Sequence, residues 1–447
     1  MESVKHVRAH AARSLASLAV GAGMLLSLPA VCRSAQFDFW YAQSGKAGMV
    51  VQQLCDAFNA SQSADRVQCI GQNGYESNLR QLIAAYRARR SPALAEIYDV
   101  GTNDMLLSDA TVPYADLARE FGNGDVSASY LPAIRHYYGD KSGELYSAPF
   151  AVSTIVLYTN DALLRRAGIA QPPQTWEQFL RDAARLKAAG IGCPAVIDID
   201  PWQMLEQPGA VAGEPIASLR NGAGGLNARL VFASGRHREL MNALLNGYRR
   251  GEIVEATETR VGRQSQAFAS GECAMSIGST YAWGIVQQMG RVQASISLLP
   301  NFSGVPRHST VIGGSSLWIM KGFDRGTYRA IAKFLDFINQ PANQMKLAGQ
   351  TGFLLRTTGA VAAWRASAAH GNPRLRHLEV ALTSLDQPTS DFSHGARLGF
   401  FTQIRMAWQQ EVQRAFAGRK SMADALASAQ EQGNRLLERF QRMYAKP

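Results

Sequence analysis

The side chains that could carry out metal chemistry are spread thinly along this chain. Beyond residue 30 the histidines are His136, His237, His308, His370, His377 and His394, and none has a second histidine at ligand spacing. A metal site needs several ligands converging, often with two on one helix face as in H-E-x-x-H, so neither a metal nor another cofactor is expected. The G-x-S-x-G elbow of nucleophilic hydrolases and the glycine-rich phosphate loop of nucleotide enzymes are both absent. Ser44-Gly45-Lys46 lacks the upstream glycine and the following Ser or Thr of such a loop. Paired carboxylates stay open, because folding can bring any two together. What remains looks like binding chemistry. In Val311-Ile-Gly-Gly-Ser-Ser, Gly313-Gly314 lets backbone N–H groups approach a small ligand. Arg405 lies in FFTQIRMAW with Phe401, Trp408 and Val412 at helical spacing, a cation on an otherwise apolar stripe. Two readings fit it: a stem lying on apolar surface with its head in water, or a guanidinium held in a cleft.

The elements that must position these residues alternate. A strand at Phe37 to Tyr41 is followed by a helix from Met49 to Asn59 and a strand at Val67 to Ile70. A helix from Tyr75 to Ala88 then leads to a strand at Ala95 to Val100, so the order is βαβ on a mostly parallel sheet. The run Tyr146 to Tyr158, broken by Pro149, reads as a first crossing into a second lobe. There Thr175-Trp-Glu-Gln178 has the form of a capping box opening a helix from Trp176 to Ala189. Strands are expected at Cys273 to Ile277 and Ala294 to Leu299, and Thr310 to Met320 should return the chain to the first lobe. Helices from Leu398 to Ala417 and from Ser421 to Tyr444 close the chain, the second capped by Ser421 and Asp424. A mature chain of this length exceeds what one core usually holds. The expected division is 35–150 with 294–340 in an N-terminal lobe, and 151–293 with 341–447 in a C-terminal lobe.

The start of the chain is an export signal. Lys5, Arg8 and Arg13 precede an apolar core from Leu15 to Leu28, and small residues follow to Ser34, which sets the expected signal at residues 1–34. The alternative, a lipid anchor at Cys32, has a poor recognition sequence in Pro29-Ala30-Val31. No later apolar run is long enough to span a bilayer. Cleavage takes away Lys5, Arg8, Arg13, Arg33 and Glu2, so the net charge falls from +11 to +8. The basic residues are scattered without zinc-finger spacing or RNP-type strands, which speaks against nucleic acid. Cys55, Cys69, Cys193 and Cys273 remain in an oxidising compartment, where four cysteines allow three pairings, and buried free thiols are the other possibility.

The segments NGYESNLRQLIAAYRA, IYDVGT, APFAVSTIVLYTND, PPQTWEQFLRDAARLKAAGIGC, GECAMSIGS, VIGGSSLWIM, AKFLDFINQP, QTGFLL and RLGFFTQIR occur in this order. Together they resemble the glycerol-3-phosphate-binding proteins of ABC importers over nearly the whole mature chain. The resemblance implies an α/β, two-lobed periplasmic binding protein fold of type II, like maltose-binding protein, with hinge strands between the lobes. It implies a small anionic glycerol phosphate or glycerophosphodiester as ligand, and a monomer that docks on inner-membrane permease subunits served by a cytoplasmic ATPase. Carried over residue by residue, the ligand site falls on Tyr75, Asp99, Ser153, Trp202, Ser279, Gly314, Phe353 and Arg405. On this reading Arg405 offers forked donors to the phosphate, Ser153 and Ser279 add hydroxyls, Asp99 accepts from glycerol hydroxyls, and Trp202 covers the glycerol carbons.

Three positions depart from the family pattern. Asp99 stands where Glu is usual, Phe353 where Tyr is usual, and Ile199 where a second Trp is common. A smaller wall at Ile199 leaves room for a larger head group, and Asp99 or an aromatic face could meet a quaternary ammonium. A neutral oligosaccharide receptor, an exported phosphodiesterase and a pure interaction protein are the alternatives.

Overall fold

The computed structural model describes residues 34–444 apart from Asn123. The export signal and the possible anchor at Cys32 lie outside those residues but for Ser34. Eleven strands are present among the described residues: β1 (Ala35–Tyr41), β2 (Asp65–Gly71), β3 (Leu94–Tyr98), β4 (Thr111–Val112), β5 (Ala148–Ser153), β6 (Ile155–Asn160), β7 (Cys193–Ile197), β8 (Ile253–Glu255), β9 (Cys273–Ser279), β10 (Ala294–Ser297) and β11 (Gly313–Met320). They form two sheets. The first has the order β2-β1-β3-β11-β4, with β5 also paired to β11; the second has the order β10-β6-β9-β7-β8.

The expected βαβ order holds at the start of the chain. In β1, Phe37 and Phe39 point into the core while their neighbours face outward, as period-2 alternation requires. The connecting helix α1 (Gly45–Ser61) buries Val50, Val51, Leu54 and Phe58 and returns the chain parallel to β1. A disulfide between Cys55 and Cys69 ties α1 to β2. A second, Cys193–Cys273, joins paired positions of β7 and β9. A closed loop of the first kind contributes roughly 3 kcal/mol by restricting the unfolded chain. The capping box forms as read: Thr175 Oγ1 accepts from the Gln178 amide at 3.2 Å, and Gln178 Oε1 accepts from the Thr175 amide at 3.2 Å.

The run Tyr146 to Tyr158 resolves into two strands in different sheets, β5 in the first and β6 in the second, separated by Thr154. A buried polar cluster sits at this crossing. Thr154 Oγ1 lies 2.6 Å from Thr310 Oγ1, which lies 2.9 Å from Ser384 Oγ. Gln207 donates to the Val311 carbonyl at 2.7 Å and accepts from its amide at 3.1 Å. With its polar atoms paired, such a cluster fixes where the chain crosses between sheets without leaving orphaned groups.

Two expected boundaries differ from the packing. Ala294 was expected to open the return to the first lobe, yet β10 pairs antiparallel with β6, Ile296 opposite Tyr158, and the return begins at β11. Residues 341–385 were expected in the C-terminal lobe, but Leu347, Leu354, Trp364 and Leu378 share the core of the first sheet with Phe39, Leu317 and Phe334. The buried Arg356 shows why. Its guanidinium donates to the carbonyls of Phe150 in β5 (3.0 Å) and Ile338 (2.8 Å) and to Asn339 Oδ1 (3.1 Å), pinning this segment to the first sheet. The last two helices, Phe401–Phe416 and Met422–Tyr444, do pack with the second sheet's core, through Trp408, Val412, Leu426 and Leu437.

Candidate functional site

A cavity of about 430 Å³ opens between the ends of the two sheets. All eight residues expected at the site line it. Tyr75 opens α2 (Tyr75–Arg87), Asp99 follows β3, and Ser153 ends β5. From the other side come Trp202 and Ser279, the latter at the end of β9, while Gly314 is the second residue of β11 and Phe353 follows the helix Pro341–Thr351. Arg405 projects from the first turns of Phe401–Phe416.

Arg405 is a cleft arginine and not a snorkelling one. Its Nε donates to Glu206 Oε1 at 2.6 Å, and its Nη2 donates to Glu206 Oε2 at 2.8 Å and to Asp99 Oδ2 at 3.0 Å. A guanidinium has five N–H groups. Three are thereby engaged, and the two that remain are on Nη1. The forked face expected to meet a phosphate is occupied by Glu206. Burial pushes the carboxyl groups of Asp99 and Glu206 up while Arg405 pulls them down, and the net direction for both is upward.

Glu206 was not visible as a site residue in the sequence. It closes a π-helical turn, Trp202–Glu206, which follows Pro201. Such turns insert one extra residue and re-aim the side chains around them. This one directs Trp202 to the cavity and Glu206 to Arg405, 199 residues away. Asp200 starts the turn, its Oδ1 accepting from the Gln203 amide at 2.9 Å. Asp200 and Gln203 both line the cavity and were also missed. Their signal in the sequence was only their nearness to Trp202.

The first sheet supplies a second ordered layer. Glu96, fully buried, accepts from the Ala42 amide at 2.7 Å, Gln43 Nε2 at 2.7 Å and Ser315 Oγ at 2.5 Å. Gln43 Nε2 also donates to Tyr75 Oη at 2.8 Å, which fixes the phenol at the cavity wall. Tyr75 stacks on Tyr98, ring centroids 5.4 Å apart and planes at 7°. Across the cavity the rings of Tyr281 and Phe353 lie 5.2 Å apart. Ser279 Oγ accepts from the Tyr281 amide at 3.2 Å, which leaves its proton free.

The glycines that line the cavity also seat neighbouring elements. Gly314 has φ +104°, and a Cβ there would lie 1.8 Å from the Ala151 carbonyl oxygen. The missing side chain makes room for β5. At Gly313 a Cβ would stand 2.7 Å from the Trp202 indole, so this glycine seats the cavity's tryptophan. Ile199 is also corrected. It is 2% exposed in the core and does not line the cavity; at that wall the chain presents Asp200 instead. Among the described residues no group of three or more His, Cys, Asp or Glu could hold a metal ion, and no helix is long and apolar enough to cross a membrane.

Two sheets that meet around a cleft of this build define a solute receptor of the maltose-binding-protein type. Residues 53–372 match the family described as bacterial extracellular solute-binding protein. The chain is 33% identical over 436 residues to the sn-glycerol-3-phosphate-binding periplasmic protein UgpB of Escherichia coli K12, covering 95% of this chain and 97% of that one. To UgpB of Salmonella typhimurium LT2 it is 33% identical over 415 residues, or 90% and 93% of the two chains. Among solved structures it is similar to UgpB from Mycobacterium tuberculosis in complex with glycerophosphocholine (TM-score 0.75, 21% identity, 90% of this chain and 98% of that). The cyclic alpha-maltosyl-1,6-maltose binding protein of Arthrobacter globiformis shares the fold too (TM-score 0.71, 16% identity, 91% and 100%). The chain belongs to the bacterial extracellular solute-binding protein family.

Proposed function

We propose that this protein is the periplasmic receptor of an ABC importer, capturing sn-glycerol 3-phosphate and glycerophosphodiesters such as glycerophosphocholine by cleft closure and delivering them to the membrane permease. It acts as a monomer before docking and performs no catalysis. The observation that carries this reading is the convergence of Tyr75, Asp99, Ser153, Trp202, Ser279, Gly314, Phe353 and Arg405 on one cavity, in a chain whose relatives over nearly their whole length are named for glycerol 3-phosphate. Arg405 Nη1 and the two serines supply donors for phosphate oxygens, and the carboxylates of Asp99 and Asp200 supply acceptors for hydroxyls. Closure of two lobes about their crossing strands then buries the ligand.

Calorimetry on wild type and Arg405→Lys tests it, lysine keeping the charge while losing the planar fork. Saturable binding of a glycerol phosphate ester by wild type, weakened at least about tenfold in the variant, is the expected result. Undiminished binding by the variant would remove Arg405 from the site. Release of free choline from glycerophosphocholine by the purified protein would contradict the absence of catalysis.

One observation favours a second reading. Glu206 neutralises the arginine fork, and the stacked Tyr75–Tyr98 pair offers a flat face to a sugar ring. A neutral oligosaccharide receptor would bind a maltodextrin in preference to every phosphate ester.

A further inference from the structure

We propose that a second cavity, separate from the ligand cleft, binds a small tetrahedral oxyanion such as sulfate or phosphate through the basic side chains of Lys141, Arg220 and Arg397. The inference does not depend on which solute the cleft takes.

This cavity has a volume of about 610 Å³ and shares no lining residue with the cleft. Its walls come from both halves of the molecule. His136 and Lys141 lie in and just after the helix Pro132–Tyr138, whose Ile134 and Tyr138 belong to the first sheet's core. Arg220 and Arg397 lie close in sequence to Ala217 and Leu398, which belong to the second sheet's core. The lining is basic: besides Lys141, Arg220 and Arg397 it includes the imidazoles of His136 and His394, edge to face with centroids 5.1 Å apart. Two carboxylates are also present. Asp140 is spent on its own turn, where Oδ1 accepts from the Ser142 amide at 2.7 Å, the Ser142 hydroxyl at 2.6 Å and the Glu144 amide at 3.0 Å. Asp391 acts on His394, which burial and the neighbouring His136 nonetheless hold below its usual range.

Arg397 is a cation without a carboxylate. Its Nη2 donates to the carbonyls of Tyr137 and Gly139, the latter at 3.2 Å, and its guanidinium carbon stands 5.7 Å from the centroid of the Tyr137 ring. Nη1 is buried and has no partner among the described residues. Burial pulls this guanidinium below the usual arginine range, opposed only by Tyr137, Tyr146 and Tyr138. A buried charge left unpaired is costly, and an anion bound beside it supplies both the countercharge and a charge-assisted acceptor.

The loop that brings Arg220 to the cavity is strained. Three successive non-glycine residues, Leu219, Arg220 and Asn221, hold left-handed backbone with φ of 53°, 54° and 52°. Such strain persists only where the surroundings over-determine it, and it gathers at ligand sites. Here Asn221 does the holding: its Oδ1 accepts from the amides of Ile216 and Ala217, both at 3.0 Å, and its carbonyl accepts from the Arg397 amide at 2.8 Å. The loop carrying Arg220 is thereby fastened to the segment carrying Arg397. Lys141 and Arg220 are themselves exposed, with no ion pair or side-chain hydrogen bond among the described residues, so both are available to an incoming ion.

The test is calorimetry with sodium sulfate and with inorganic phosphate, each against sodium chloride of equal ionic strength. Three proteins are compared: wild type, the double variant Lys141→Gln with Arg220→Gln, and a control double variant, Arg87→Gln with Arg90→Gln, which removes as much exposed charge outside the cavity. Wild type should bind one ion saturably with a Kd below about 5 mM. The Lys141/Arg220 variant should bind at least about fivefold more weakly with an unchanged melting temperature in chloride, and the control should stay within about twofold of wild type. No saturable binding of either ion by wild type overturns the proposal. So does undiminished binding by the Lys141/Arg220 variant, which would place the ion elsewhere, or an equal loss in the control, which would reduce the effect to net charge.

Discussion

Arg405 spends three of its five N–H groups on Glu206 and Asp99, which makes Glu206 the residue that sets how much positive charge the cleft presents. Replacing Glu206 by Gln removes one countercharge while keeping an acceptor for Nε. The expected outcome in calorimetry is glycerol 3-phosphate binding tightened by about five- to tenfold; weaker binding would mean that Glu206 chiefly aims the arginine. Phe353→Tyr adds a hydroxyl at a position that lines the cavity, and should tighten the same ligand by about fivefold, the worth of one hydrogen bond near 1 kcal/mol. Asp198 gives a prediction in pH. Burial, with Asp200 and Glu255 nearby, lifts its carboxyl to about 6. A folded-state value above the unfolded one costs stability at high pH, and that cost is relieved as pH falls through about 6 toward the unfolded value. Asp198→Asn should therefore stabilise the protein at pH 7.5 by on the order of 2 kcal/mol, with the gain vanishing by about pH 4 in thermal melts. Seven of the eight residues expected at the site, all but Trp202, sit in segments resembling the family, and all eight line the same cavity. Glu206 was not legible, because only the fold brings a residue 199 positions away against Arg405. Ile199 was misread for a related reason: which of two adjacent side chains faces a cavity depends on the turn that follows, here a π turn that sequence spacing does not announce.

At the scale of elements, local signals were read well and long-range pairing less so. The capping box at Thr175 and Gln178 and the alternation in β1 are properties of a few neighbouring residues, and both appear in the structure as expected. The placement of β10 and of residues 341–385 depended on partners far along the chain, Tyr158 for one and Phe150 for the other. Gly314 illustrates how an element's packing can resemble a binding signature. The sequence suggested close approach of a ligand; Gly314 does line the cavity, and the structure adds close approach of β5. Gly314→Ala should accordingly destabilise the fold by more than about 2 kcal/mol, combining a left-handed backbone with a clash against the Ala151 carbonyl. Thermal melts check this without any ligand, and an unchanged melting temperature would show that β5 and β11 can separate at little cost.

For the whole molecule, two sheets joined by crossings at Thr154 and Thr310 hold the cleft for which a glycerol phosphate ester is the proposed ligand. The chain's basic net charge gave no hint that the cleft itself is rich in carboxylates, because net charge is a sum over the whole surface whereas a ligand meets only a few side chains. The most direct measurement is titration of the purified wild-type protein with glycerophosphocholine, glycerol 3-phosphate and a maltodextrin under identical buffer and salt. One-site binding of a glycerol phosphate ester, with Kd below about 10 μM and no detectable heat from the maltodextrin, is what the account predicts. Binding of the maltodextrin with neither phosphate ester engaged would contradict it.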